Sequence, residues 1–281
     1  MGTAVKPEER SGTRPTSLIF SLYGDLVHGA AGESEPALWL GTLVRLMAAF
    51  GLSEAAVRQA VSRMARQGWL SARREGKRAY YTVTPLGRRR IDELSPRIYG
   101  PVIEWDGNWR LLAVTVDVRD ARVRLRQELR VLGWAPLSPA IWISPADSLP
   151  SAAEAAERYG VAGEAHLFLG TYEGPLSDRA LVERCWDLPA IAGAYERFTE
   201  RYRPRLDREL AGGAAGDAEA FAERLWLVHD FRKFAYIDPG LPSELVPAHW
   251  PGTIASSIFR EYYAVLAPKA QHFLTRTAAE A

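Results

Sequence analysis

Gly51-Leu52-Ser53 is the stretch that most limits how this chain can fold. Before it, Leu43, Leu46 and Met47 recur at helical spacing between about Leu40 and Phe50. After it, Ser53 caps a helix that runs from Glu54 to about Gln67, and Gly68 closes that helix. A glycine stop followed at once by a serine start leaves room only for a tight turn. Two short amphipathic helices joined in this way make a helix-turn-helix. A preceding helix, capped by Thr16 or Ser17 and running to about His28, carries a stripe of Leu18, Ile19, Leu22 and Leu26. Gly29 to Pro36 reads as a loop.

The helix after the turn has one face free for a partner. With Val57, Ala60, Val61 and Met64 inward, a step of about 100° per residue turns Ala55, Arg58, Gln59, Ser62, Arg63 and Arg66 outward. That face has no acid and no large apolar side chain. Arg, Gln and Ser donate to phosphates and to base edges in a major groove. Early residues of a recognition helix reach bases and later ones the backbone. Ala55, Arg58, Gln59 and Ser62 are therefore assigned to base edges and Arg66 to phosphate; Arg63 suits either role.

Trp69-Leu70-Ser71 leads into Arg73-Arg74-Glu75-Gly76-Lys77-Arg78 and then Ala79-Tyr80-Tyr81-Thr82-Val83. The pattern predicts a β-hairpin with Glu75-Gly76 at its tip. Arg73, Arg74, Lys77 and Arg78 on its rim would lie along phosphates or in a minor groove. Thr84 caps a further helix with Pro85 at its first position. Arg88, Arg89 and Arg90 on that helix suit either the DNA backbone or solvent. From Ser53 to Arg90 there are ten basic residues against Glu54 and Glu75, in a chain whose net charge is only +1. So local an excess points to a polyanion partner for this segment. Turn, helix order, hairpin and charge agree on a winged helix-turn-helix that binds DNA.

Three stretches here, SLIFSLYGDLVH, LWLGTLVRLMAAFGLSEAAVRQAVSRMARQGWL and RREGKRAYYTVTPLGRRRI, resemble the N-terminal domain of the PaaX-type repressors. The resemblance is dense from about Ser17 to Ile91 and continues through the rest of the chain. It implies control of phenylacetate catabolism, with phenylacetyl-CoA as the inducer. A relative answering to another acyl-CoA or aromatic acid remains the alternative.

Ser95 to Asn108 reads as a linker. Strands over Trp109–Asp117, Ala140–Ile143 and Ala165–Leu169 alternate with helices from Arg119 to about Leu132 and from Ser151 to Tyr159. This order suggests a small ferredoxin-like unit. The segment resembles the ferredoxin-fold CRISPR-associated nucleases, which have an Asp at the end of their first strand. Asp117 stands there, and a metal-dependent nuclease is the reading from another class. One carboxylate rarely holds catalytic Mg²⁺ without other ligands. The serine-rich second strand of that family is also replaced by Pro139-Ala140-Ile141-Trp142-Ile143. Asp117 is therefore read as a strand-end or helix-cap carboxylate, and the unit as a source of dimer contacts.

From Leu176 the chain reads as mostly helical, with a flexible connection over Ala211–Gly216. Its many aromatic residues are mainly core. An aromatic pocket beside arginines would also suit an aromatic acyl-CoA, whose ring would stack and whose phosphates would meet guanidinium groups. Leu227-Val228-His229-Asp230-Phe231-Arg232-Lys233-Phe234, Asp238-Pro239 and Trp250-Pro251-Gly252 again resemble the PaaX-type family. His229, Arg232, Trp186, Tyr195 and Phe198 are the ligand candidates.

The fold class is thus α+β, with a flexible tail (1–15), an N-terminal winged helix-turn-helix (16–99), a middle ferredoxin-like domain (100–175) and a mostly helical C-terminal domain (176–281) that senses ligand and dimerises. Cys185 is the one cysteine, so no disulfide framework or thiolate cluster forms within a chain. No nucleophile–base pair and no metal-spaced cluster stands out, so no catalytic residue, metal, resident cofactor or enzyme activity is expected. No run of about 18 apolar residues and no apolar signal core is present, which predicts a cytoplasmic protein away from membranes. The expected partners are double-stranded operator DNA, an acyl-CoA effector and a second copy of the chain.

Overall fold

The computed structural model describes residues 13–29, 36–100, 104–115, 119–213 and 215–280. Most of the expected tail, part of the 29–36 loop, Asp117 and Ala214 of the 211–216 connection lie outside the described residues. In chain order come α1 (Pro15–Gly29), β1 (Leu38–Trp39), α2 (Leu40–Ala48), α3 (Glu54–Arg66), β2 (Leu70–Glu75), β3 (Arg78–Val83) and α4 (Pro85–Tyr99). Then follow β4 (Trp109–Val114), α5 (Arg119–Val131), β5 (Ala135–Pro136), β6 (Ile141–Ser144), α6 (Leu149–Arg158) and β7 (Ala165–Gly170). The rest is helical: α7 (Asp178–Cys185), α8 (Leu188–Leu210), α9 (Asp217–Phe231), α10 (Phe234–Ile237) and α11 (Pro251–Ala279). Among the described residues no helix is long and apolar enough to cross a membrane.

Packing groups these elements into two units. The first comprises residues up to Tyr99 together with Arg201–Phe231 and Ser257–Ala281; the second comprises Gly100–Glu200 and Arg232–Ser256. One boundary falls after Tyr99, and the helices of the stretch 176–281 are divided between the two units. The physical reason in the first unit is a shared core. Phe221 and Leu225 of α9 and Ala270 of α11 are buried in one cluster with Leu18, Ile19 and Leu22 of α1 and Val57, Val61 and Met64 of α3. Each large apolar side chain so buried contributes about 1.5–3 kcal/mol.

Two glycines set the local geometry of this unit. Gly51 (φ 71°) follows α2, where Leu52 N–H donates to Met47 O and Gly51 N–H to Ala48 O. Gly68 (φ 77°) repeats the pattern after α3, with Trp69 N–H on Met64 O and Gly68 N–H on Ala65 O. Both are Schellman stops that need a left-handed residue. Ser53 caps α3 by accepting from Ala56 N–H at 3.2 Å, and Thr84 caps α4 by accepting from Gly87 N–H at 3.1 Å. α4 runs on through Ser95–Tyr99, where the sequence suggested a linker. Buried Leu94 holds it to the core, and Tyr99 stacks on His28 at 3.7 Å between ring centroids.

The wing is a three-stranded antiparallel sheet in the order β1-β3-β2. Glu75 pairs with Arg78, so the tip is Gly76-Lys77 rather than Glu75-Gly76. Gly76 (φ 58°) takes the first turn position, as a tight hairpin of this kind requires.

In the second unit, β5-β6-β4-β7 form an antiparallel sheet. With α5 after the first strand and α6 after the third, this is the ferredoxin-like arrangement. The two-residue strand β5 was not foreseen. Leu112, Leu125, Leu129, Trp134 and Trp142 fill one face of the sheet. Trp109, Ile143, Leu181, Val182 and Leu188 fill the other, where Trp109 Nε1–H donates to Asp178 at 2.8 Å. Buried Arg110 donates to both oxygens of Asp106 at 2.8 Å and to Pro145 O at 3.0 Å. Those bonds, with the one from Asn108 N–H, hold the Asp106 carboxyl down at about 2.

Two outcomes are expected. A fragment ending at Tyr99 lacks Phe221, Leu225 and Ala270, and will unfold in urea with a broad, weak transition where the full chain unfolds cooperatively. Because the pKa of Asp106 is depressed in the folded chain, its stabilisation is present above the ordinary carboxylate range and is lost as pH falls through about 2. Asp106→Asn should flatten that acid limb in a plot of unfolding midpoint against pH.

Candidate nucleic-acid interface

The recognition helix is built as its sequence demands. Val57, Ala60, Val61 and Met64 are buried in the core of the first unit. All six side chains assigned to the outer face, Ala55, Arg58, Gln59, Ser62, Arg63 and Arg66, are exposed. Three residues separate the end of α3 from β2, so the hairpin emerges directly after it. Tyr23 O–H of α1 donates to Tyr81 O of β3 at 2.9 Å and ties the hairpin to the helical core. Trp69, between α3 and β2, meets Phe20 edge-on at 5.8 Å. The two basic elements therefore share one rigid base.

The cations divide into those already paired and those available. Arg58 pairs with Glu54 at 2.7 Å, one turn back on α3, and both are more than half exposed. Sequence reasoning left out this partner, although i,i+4 spacing is its signal. Arg73 pairs with Glu75 at 2.6 Å on the wing, and the Arg78 guanidinium lies over the Trp39 ring at 5.0 Å. Arg63, Arg66, Arg74 and Lys77 are exposed, and none has an acidic partner among the described residues. On α4, Arg88 pairs with Asp92 at 2.9 Å and Arg90 with Glu93 at 3.0 Å, so these two charges are locally compensated. Exposed ion pairs are worth about 0–1 kcal/mol, so Arg58 and Arg73 can leave their carboxylates at small cost.

The five ligand candidates are divided between the two units. His229, in the first unit, is buried at 3% exposure, and its Nδ1 lies 3.0 Å from the Ser21 hydroxyl. The Ser21 hydroxyl also lies 3.0 Å from Ser17 O, one turn back on α1. Trp186, Tyr195, Phe198 and Arg232 belong to the second unit. Tyr195 stacks on Phe234 at 3.9 Å and donates to Asp238 at 2.5 Å, while Phe198 meets Phe234 edge-on. A second ring has no room between Tyr195 and Phe234 as they stand. Trp186 stacks with Trp109 at 6.4 Å.

One cluster has no counterpart in the sequence reading. Asp25 of α1 accepts from Arg224 of α9 at 3.1 and 3.2 Å and from Tyr263 of α11 at 2.6 Å. The only hint in the sequence is an acid inside the apolar run SLIFSLYGDLVH. For the alternative nuclease, the described residues contain no group of three His, Cys, Asp or Glu able to hold a metal ion.

Known proteins match most of the chain. Residues 14–87 match the profile of a PaaX-like protein, 103–182 that of a PaaX protein central Cas2-like domain, and 186–276 that of a PaaX-like protein C-terminal domain. A curated relative, Transcriptional repressor PaaX of Escherichia coli (strain K12), is 34% identical over 266 residues, spanning 92% of this chain and 83% of that protein. A solved structure of an uncharacterized protein from Mycobacterium tuberculosis shares the fold, with a TM-score of 0.56 at 23% identity, over 93% of this chain and 97% of that one.

Helix and wing make different demands on DNA, and substitutions separate them. Arg58→Ala or Gln59→Ala should cost about 1–3 kcal/mol at the cognate site and relax preference at particular base pairs. Arg74→Ala or Lys77→Ala should weaken binding to all sequences alike and lower the salt slope by about one. Titrations of matched and scrambled duplexes at several salt concentrations read both effects.

Proposed function

The chain belongs to the PaaX-like family, and from that membership we propose that it is a transcriptional repressor of phenylacetate degradation genes, lifted from its operator by phenylacetyl-CoA. The observation that carries the reading is the exposed outer face of α3, whose Arg63 and Arg66 have no acidic partner among the described residues. It is followed at once by a wing with Arg74 and Lys77 equally available. That the Escherichia coli relative is a transcriptional repressor supports the sign of regulation. On this reading the protein is a regulator and not an enzyme.

α3 donates to base edges through Arg58, Gln59 and Ser62, while Arg63, Arg66 and the wing hold phosphates. One such helix reads few bases, so specificity calls for a two-fold dimer on an inverted repeat, with half-site centres about 10 bp apart or a multiple of that. The effector acts by favouring a dimer geometry in which the two recognition helices no longer match successive grooves. A 100-fold loss of operator affinity needs about 2.7 kcal/mol of coupling, within reach of a few contacts made in one geometry only.

Linkage makes this testable. Phenylacetyl-CoA should release the full chain from operator DNA, and saturating operator should weaken its binding by the same factor in calorimetry. Equal effector affinity with and without operator would rule the mechanism out. Release by a different acyl-CoA or by a free aromatic acid would keep the mechanism and change the pathway.

A further inference from the structure

A cavity of about 240 Å³ lies inside the DNA-binding unit, between α1, α9 and α11. Leu22 and Leu26, Phe221 and Leu225, and Ala270 and Leu274 give it apolar walls. Asp25 and Arg224 line it as well, and form its polar part. We propose that this cavity seats the acyl group of the effector: a compact aryl or branched alkyl body carrying one acceptor oxygen. The proposal rests on the ligand-released repressor reading above and gives it a site.

Size and chemistry set the ligand class. An apolar cavity of roughly 150 Å³ holds a benzene ring. The larger volume here admits a ring and a short linker, or an aliphatic group of similar bulk, but not a nucleotide. A CoA portion would have to remain outside. The walls supply burial, and recognition then needs a few placed polar groups.

Arg224 supplies such a group. Its Nε–H and Nη2–H bond Asp25 at 3.1 and 3.2 Å, and Nη2 also donates to the Tyr263 phenol oxygen at 2.6 Å. Tyr263 O–H in turn donates to Asp25 at 2.6 Å, and the Tyr263 ring lies under the guanidinium at 4.0 Å. A guanidinium has five donors. Those on Nη1 have no partner among the described residues. They suit a thioester carbonyl or a carboxylate through a charge-assisted bond.

The position also explains how occupancy reaches DNA. α1 forms one wall of the cavity and shares the apolar core with the recognition helix α3. The Asp25–Arg224–Tyr263 cluster and the His229–Ser21 bond tie the same helix to α9 and α11. A guest that presses on these walls acts on the base of the recognition helix directly.

The test uses the full chain with three probes: phenylacetyl-CoA, free phenylacetate and unacylated CoA. Leu274→Trp should fill the cavity from α11 and weaken the acylated probe by about tenfold or more, with thermal unfolding followed in parallel to check the fold. Independently of any variant, a photoreactive azidophenylacetyl-CoA on the wild-type chain should label peptides containing 22–29, 221–225 or 270–274, and phenylacetyl-CoA should compete. Label confined to other peptides, or unchanged affinity in a folded Leu274→Trp, overturns the site and leaves the effector reading intact. If the thioester does not bind but phenylacetate does, and Leu274→Trp abolishes that binding, the site stands and the effector reading falls. Binding of neither acylated thioester nor free acid overturns the site.

Discussion

The DNA-binding unit depends on how α1 is covered. Leu18, Ile19, Ser21, Leu22, Tyr23 and Val27 are all buried, and by the helical step they span well over half of its circumference. A helix-turn-helix and wing can cover one side of such a helix, and α3 does so. The remaining side needs another apolar surface, which α9 and α11 provide through Phe221, Leu225 and Ala270. The N-terminal segment thus cannot close its own core, and helices more than a hundred residues later complete it. This requirement, more than any single contact, makes the reading head and the C-terminal helices one folding unit.

The polar bonds in that seam add direction to the apolar contact. Breaking a buried ion pair by removing one partner costs about 3–5 kcal/mol, because the other charge is left unpaired. Asp25 and Arg224 are both largely buried, and Tyr263 shares the same cluster. The His229–Ser21 bond sets the register of α9 on α1 at a second point. Apolar packing alone tolerates sliding; paired polar groups at fixed spacing do not.

What the sequence made legible follows from range. The stops at Gly51 and Gly68, the caps at Ser53 and Thr84, the inward row on α3 and the basic hairpin are signals within a few residues of one another, and the structure has each of them. The middle unit was readable as ferredoxin-like from its alternating elements, apart from Ala135–Pro136, a strand too short to carry a two-residue period. The outer-face residues of α3 were legible because helical geometry alone exposes them. The division of the C-terminal helices was not legible, since both units draw on similar aromatic and leucine-rich segments. Nor was the Asp25 cluster, whose members are separated by 199 and 238 residues. Composition marks Tyr195 and Phe198 as candidates, but it does not show that both rings pack on Phe234.

The proposed effector signal starts far along the chain from the helix-turn-helix. The fold shortens that path. α9 and α11 touch the same helix that α3 rests on, so a change in their packing reaches the recognition helix within one core. Close-packed interiors do not deform continuously, so on the proposed reading a shift of α9 or α11 carries α3 with it. The coupling needed for release is a few kcal/mol, no more than the pairing of one buried ion pair. On the proposed reading, sequence specificity lies with the exposed face of α3 and control with the opposite side of α1.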